Sequence, residues 1–343
     1  MRTAQLQVGV IGVGRIGVFH ARTLQELGGV ALTIADAEPG RARHVAAELG
    51  VAAATTPEAL LEAGADALVI AAPTSAHAPL LGLAARAGLP AFCEKPVALE
   101  PSSLDAVLDE VAQSGILVQV GFQRRFDAGY RAARDAVAAG ALGNLLVIRA
   151  ATHDPSPPAE EYVAASGGIF RDLHIHDFDA LRFVTGREIV DVYADGAVLE
   201  SQWFERYGDV DAAVAVLRLD GGALAILSGA RHDPLGYDVR LEVFGTADSI
   251  AVGVDDRSPV RSVEPGAPQP SAAGYRNFME RFEPAYRSEL AAFVATVRDG
   301  GESACTLGEA RAALLAALAA DRSRAERRPV AIEEVASATA ATG

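Results

Sequence analysis

Short apolar runs alternate with stretches of helical spacing from the start of the chain to about residue 122. The runs fall at 6–11, 31–35, 51–54, 67–72, 91–94 and 116–120. Each is too short and too continuous for a helix, so each reads as a buried strand. Helices are predicted between them at 15–27, 39–49, 57–64, 74–88 and 102–114. Gly50 stops the second helix and Pro57 starts the third, the positions those residues favour. Strands joined by helical crossovers make a doubly wound parallel sheet. Ligands of such sheets bind outside the carboxyl ends of the strands. The tips to watch are therefore Gly12, Asp36, Ala72-Pro73-Thr74, Glu94-Lys95-Pro96 and Gly121-Phe122.

The pattern changes after residue 122. A helix is predicted at 127–139, a strand at 145–152, a proline-rich loop at 153–159 and a helix at 172–184. β-rich stretches follow at 189–198, 210–219, 223–228, 239–244 and 249–254, with turns such as Asp220-Gly221-Gly222 between them. Short strands at this spacing predict a large, mostly antiparallel open sheet. A loop is expected at 255–274, helices at 284–298 and 307–324, a short strand near 328–332, and a frayed tail at 337–343. The expected architecture is thus α/β in two parts. A Rossmann domain spans 1–122, and an α/β domain for substrate and oligomer contacts spans 123–343, with C-terminal helices free to pack back on the first domain.

The first strand runs into Gly12-Val13-Gly14-Arg15-Ile16-Gly17. The glycines of a G-x-G-x-x-G loop serve a tight turn, close approach to a pyrophosphate, and helix–strand packing. The following helix presents free N–H groups and a positive dipole end to the phosphates. Asp36 ends the second strand, where a carboxylate accepts from the ribose hydroxyls and repels a 2′-phosphate. NAD is therefore the expected cofactor. Arg41 and Arg43 lie in the next helix, beyond the usual phosphate-reading position.

Composition narrows the choices. A net charge of −15 argues against nucleic acid as a partner. No apolar run is long enough to cross a bilayer, and residues 1–3 lead directly into a strand without a visible signal peptide. Two cysteines, Cys93 and Cys305, make no disulfide framework and fit the reducing cytoplasm.

Two clusters carry chemistry, which is expected where the two domains face each other. Lys95 follows the fifth strand; it either points into the cofactor crevice or snorkels at the strand end. Asp172, His176 and Asp179 are spaced i, i+4, i+7 and share one face of the predicted helix. An Asp–His–Asp face suits a general base, with a carboxylate orienting an imidazole that takes a proton near neutral pH. His174 and Asp177 fall elsewhere around that helix, and His174 reads as structural. No His-Glu-x-x-His or cysteine cluster supports a metal, so none is expected.

These residues resemble the Gfo/Idh/MocA oxidoreductases over nearly the whole chain, and among them the bacterial inositol 2-dehydrogenases. The matching stretches are 12–17, 72–77, 94–96, 121–127, 167–172, 175–179 and 281–290. The resemblance implies NAD-dependent oxidation of a secondary hydroxyl of a cyclic polyol or sugar, foremost myo-inositol to its 2-ketone. It implies catalysis by Lys95, Asp172 and His176, and a homo-oligomer, dimer or tetramer, built through the open sheet. Gly12, Gly14, Arg15, Ile16, Gly17, Asp36, Ala72, Pro73, Thr74, His77, Glu94, Lys95 and Gln123 match cofactor positions. Arg125, His153, Asp179 and Tyr237, with the catalytic set, are similar to polyol-contacting positions. Another polyol or monosaccharide dehydrogenase, a non-redox glycosidase using bound NAD, and an NAD-sensing protein stay open.

Overall fold

A computed structural model describes residues 5–340. The reading of residues 1–3 as leaderless, and residues 341–343 of the expected frayed tail, lie outside that range. Two compact units emerge. The first takes in the residues up to Phe126 together with Pro284–Arg311; the second takes in Asp127–Glu283 and the residues from Ala312 on.

The first unit holds six parallel strands: β1 (Leu6–Ile11), β2 (Val30–Ala35), β3 (Ala52–Ala53), β4 (Ala67–Ile70), β5 (Ala91–Glu94) and β6 (Val118–Gly121). Their order is β3-β2-β1-β4-β5-β6. The chain reverses its direction of winding between β1 and β4, which puts a ligand crevice at their carboxyl ends. Val10, Ile34, Val69 and Phe92 are fully buried in the core of this sheet. Leu290, Phe293 and Val294 join the same core, and the rings of Phe92 and Phe293 lie 6.0 Å apart. Those three come from the helical segment Phe278–Asp299, which is two helices joined at a kink: Phe282 leaves helical dihedrals (φ −111°, ψ 16°). The second helix opens just after that kink, with Pro284 in its first turn as expected, where a proline's missing N–H costs no hydrogen bond.

The second unit carries β7 (Leu145–His153), β8 (Ile189–Ala197), β9 (Ala212–Leu219), β10 (Leu224–Ala230), β11 (Asp238–Gly245), β12 (Ser249–Val252) and β13 (Val330–Ala331). The order is β12-β11-β7-β10-β9-β8-β13. All neighbours are antiparallel except β7 and β10. A long connection separates those two, which a parallel pair needs. Residues alternate in burial along β9 and β10, so one face is packed and the other open.

Two sequence expectations change here, and one stretch without an expectation gains a helix. Residues 332–340 form a helix, Ile332–Ala340, where a frayed tail was expected from 337. A helix, Glu160–Ser166, follows the proline-rich loop. The helix expected at 172–184 is two pieces, Ile169–Asp172 and Ile175–Thr185. At the join, the His174 N–H reaches back five residues to the Ile169 carbonyl, and the His176 N–H reaches back three to Leu173. The ladder slips by a residue at this join, while Leu173 and His174 keep right-handed helical dihedrals and carry the chain on from Asp172 to His176.

Candidate active site

The dinucleotide loop shows three glycines in three roles. Gly12 has φ +89°, and a Cβ there would come 2.6 Å from the Ala72 backbone. A Cβ on Gly17 would sit 1.9 Å from the Gly12 carbonyl oxygen. Gly14 caps the helix Arg15–Leu27 and faces open space, with nothing within 4 Å of its added Cβ. Turn and packing are thus closed against any side chain, while the middle glycine leaves room for a pyrophosphate. Exposed Arg15 and half-buried Ile16 open the helix, so their N–H groups stand at its positive end. Pro73 caps the crossover helix that follows β4, Thr74–Ala87, and half-buried Ala72 precedes it.

Asp36 is 6 % exposed. Its Oδ2 accepts from the Val13 N–H and its Oδ1 from the Glu38 N–H, both at 2.8 Å. The carboxylate therefore holds the glycine loop in shape, and its remaining lone pairs are left for the ribose. Arg41 is nearer than its place in the sequence suggested. Its Nη1 lies 3.6 Å from Asp36 Oδ2, because the helix Pro39–Leu49 starts directly beside the strand tip.

Half-buried Lys95 follows β5 on a tip with two braces. Glu94 Oε2 accepts from the Lys95 N–H at 3.2 Å, while Glu94 Oε1 meets His20 Nε2 at 2.6 Å. His20 is fully buried, with ring contacts to Phe92 and Tyr286. His77 places Nδ1 2.7 Å from the Pro96 carbonyl and Nε2 2.7 Å from the Ala72 carbonyl. Burial pushes its pKa down despite those carbonyls. The sequence suggested His77 as a cofactor contact, but both its nitrogens face the backbone. As a neutral imidazole it donates its one N–H to one carbonyl or the other and packs between the tip after β4 and the tip after β5. Gln123 is 2 % exposed, and its Oε1 has no hydrogen-bond partner among the described residues. A buried acceptor left open in this way suits an amide-bearing cofactor. The Arg125 guanidinium, also buried, donates to Glu309 at 2.8 Å. Glycine cradle, pinned Asp36 and open Gln123 acceptor all fit NAD.

In the second unit, Asp172 is 7 % exposed. Its Oδ1 accepts from the Tyr162 hydroxyl at 2.7 Å, and its Oδ2 lies 2.9 Å from Arg231 Nη2. His176 is half-buried on the next helix, with buried Asp179 one turn further along. His174 is fully buried, with Nδ1 2.8 Å from Asp177 Oδ2. Thr152 donates to the same Asp177, which places that pair against the packed face of the sheet. His153 ends β7 on other partners. Its Nε2 is 3.1 Å from Ser228 Oγ, and its Nδ1 is 3.8 Å from both Asp233 and Asp238. Those three offer ligand atoms within 4.8 Å of one another, yet Arg240 already holds Asp238 in a two-pronged pair. Tyr237 is buried, with its ring 6.5 Å from that of Phe282.

Sequence reading missed His20, Tyr162 and Arg231. A histidine one turn after Gly17, on the helix face that carries Ala21 and Leu24, was a usable signal. Nothing in the spacing announces Tyr162, ten residues before its partner Asp172, or Arg231, which reaches Asp172 from far along the chain.

Residues 6–122 match an oxidoreductase family with an NAD-binding Rossmann fold, and residues 130–251 match the GFO/IDH/MocA C-terminal domain. The chain is 41 % identical to the myo-inositol dehydrogenase Hyg17 of Streptomyces leeuwenhoekii, over 93 % of this chain and 97 % of that one. It is 37 % identical to a myo-inositol 2-dehydrogenase of Thermotoga maritima, over 96 % and 99 %. A crystal structure of scyllo-inositol dehydrogenase from Lactobacillus casei, with bound NAD(H) and scyllo-inositol, superposes with a TM-score of 0.86 at 27 % identity, covering 96 % of this chain and 99 % of that one. With both domain families present and relatives aligned from end to end, the chain belongs to the Gfo/Idh/MocA family of NAD-dependent oxidoreductases.

Proposed function

We propose that this protein oxidises one ring hydroxyl of a cyclic polyol with NAD, and that the polyol is myo-inositol, converted to its 2-ketone. The observation that carries this reading is the end-to-end similarity to two enzymes named for myo-inositol, alongside the Asp172–His176 turn and the braced Lys95 tip. Bound NAD supplies the hydride acceptor. The chain's task is to position the alcohol and manage its proton. His176 takes the hydroxyl proton, Asp172 orients the imidazole, and Lys95 hydrogen-bonds the same oxygen as negative charge develops. Arg125, His153, Asp179 and Tyr237 hold neighbouring hydroxyls. A site that pairs buried hydroxyls rejects analogues lacking them. Incubation with NAD and a panel of inositols and pyranoses tests the reading. NADH should accumulate fastest with myo-inositol. A faster pyranose would reassign the substrate, and no net NADH with any of them would favour non-redox or sensing roles.

Cofactor choice follows from Asp36. NAD should be preferred over NADP, and Asp36→Ser should raise relative NADP use by about 10-fold or more, equivalent to ~1.4 kcal/mol. Arg41 is then the nearest cation to a 2′-phosphate, so Asp36→Ser with Arg41→Ala should lose that gain. Equal kcat/KM for both dinucleotides in the wild type would sink the assignment.

The assembly is proposed to be a dimer or tetramer formed through the open face of the second sheet. Val214, Val216 and Ile226 stand on that face at 52 %, 44 % and 44 % exposure, and Val216 and Ile226 are cross-strand partners. An apolar row of this kind calls for a covering surface. Val216→Asp with Ile226→Asp should shift the sedimentation coefficient to that of a monomer. A monomeric wild type would overturn the proposal. Buried free Cys93 and Cys305 are in keeping with a cytoplasmic enzyme.

A further inference from the structure

We propose that Arg231 and Tyr162 are positioning residues that keep Asp172 ionised and fixed, and thereby set the pH at which His176 becomes a free base. The inference rests on the reading of Asp172 and His176 as the acid–base pair.

Arg231 directly follows β10, and its N–H donates to the Asp211 carbonyl at 2.8 Å. The side chain is 3 % exposed. One guanidinium nitrogen lies 3.1 Å from Asp154 Oδ2 and another 2.9 Å from Asp172 Oδ2. Burial alone would push this guanidinium down; Asp172 and Asp154 outweigh it and raise its pKa. Linkage is mutual, so the same cation favours the charged form of Asp172. Tyr162 secures the other oxygen from a separate helix. Its ring is half in solvent, while its hydroxyl end meets Asp172. The Asp172 charge, then burial, push that phenol up, so it remains a donor. A carboxylate bonded at each oxygen by a different element cannot rotate.

Among the described residues, Asp172, Asp154 and Asp209 bear most on Arg231, and Tyr162 meets the same Asp172. Asp209 is itself tied to the Ile169 N–H at 2.9 Å, at the start of the turn that carries Asp172. An unpaired Asp172 would stabilise a His176 imidazolium strongly. With Arg231 opposite, part of that charge is matched, and His176 sheds its proton at lower pH. Removal of Arg231 has two effects of one sign. Asp172 holds its proton to higher pH, and once ionised it stabilises the imidazolium more. The acidic limb of the rate profile must move upward.

The test is the pH dependence of kcat/KM for full-length enzyme with NAD and myo-inositol. Arg231→Gln should move the acidic limb up by about 1 pH unit, the low end for a cation beside a carboxylate, and activity should recover at alkaline pH. Arg231→Lys should return the limb toward wild type, since charge is kept while the fork is lost. Tyr162→Phe should move it by less, in the same direction. A uniform loss at every pH, with the limb unmoved, would overturn the proposal. If Arg231→Gln does not fold, Tyr162→Phe decides, because its half-exposed ring supports no core; an unmoved limb there counts equally against it. Asp172→Asn tests the underlying reading separately: wild-type turnover in that variant overturns the role of Asp172 itself.

Discussion

Replacing His176 with alanine is expected to lower kcat by about 10²–10⁴, the usual worth of positioned acid–base catalysis. His174→Ala, only two residues away, should leave kcat of the folded enzyme near wild type. The structure separates the two histidines sharply. His174 is fully enclosed, its ring stacked on Phe170 with centroids 5.7 Å apart. A Cβ on Gly229 would come 2.3 Å from its Nε2, so β10 is fitted closely around it. Its removal leaves a cavity in a packed interior, and a stability loss of about 2–4 kcal/mol is expected. His176 is half-buried and so accessible to a substrate. Oxidation needs the neutral imidazole, so activity should rise with pH through its titration, and His176→Ala should abolish that limb. Turnover per folded molecule and thermal melting, measured on both variants, separate the roles. Equal losses in kcat, or a limb that survives in His176→Ala, would place the base elsewhere, with Lys95 the next candidate.

Much of the first unit could be read directly because its signals are local. A strand, a glycine loop and a helix follow one another within 27 residues, and Gly12 and Gly17 answer to backbone contacts made within that unit. The strand tips at Asp36 and Glu94 followed from the same alternation. The Asp172–His176 turn was harder. Polar residues at 172, 176 and 179 keep helical spacing whether or not the ladder slips between them. Periodicity of side chains does not report a carbonyl shared by two N–H groups at Ile169. Pro284 was legible because proline favours the first turn of a helix, and a kink at Phe282 opens a new helix just before it. The partners of Asp172 were invisible for a different cause. Arg231 directly follows a strand and Tyr162 lies on a short helix, and only the tertiary fold brings them to one carboxylate. Buried charges are held by partners that spacing along a chain does not encode.

Lys95→Ala is expected to lower kcat by about 10²–10³, the cost of losing one donor aimed at a developing oxyanion, while NAD affinity changes little. The tip explains why the two effects should separate. Neither brace passes through the Lys95 side chain. The Pro96 carbonyl packs against His77, and Glu94 is held through its carboxylate by His20. The glycine loop and Asp36 are fixed to each other by backbone N–H groups. Removal of the Lys95 ammonium therefore leaves the dinucleotide cradle standing. What disappears is a positive charge needed most when the alcohol oxygen becomes negative, an interaction stronger in the transition state than in the ground state. Such a loss falls on kcat, with KM for the polyol changed far less. NAD binding by calorimetry and kcat from NADH formation, on the same preparation, test this directly. A sharp fall in NAD affinity with kcat preserved would make Lys95 an anchor for the cofactor, and charge stabilisation on the alcohol oxygen would then have to come from another group.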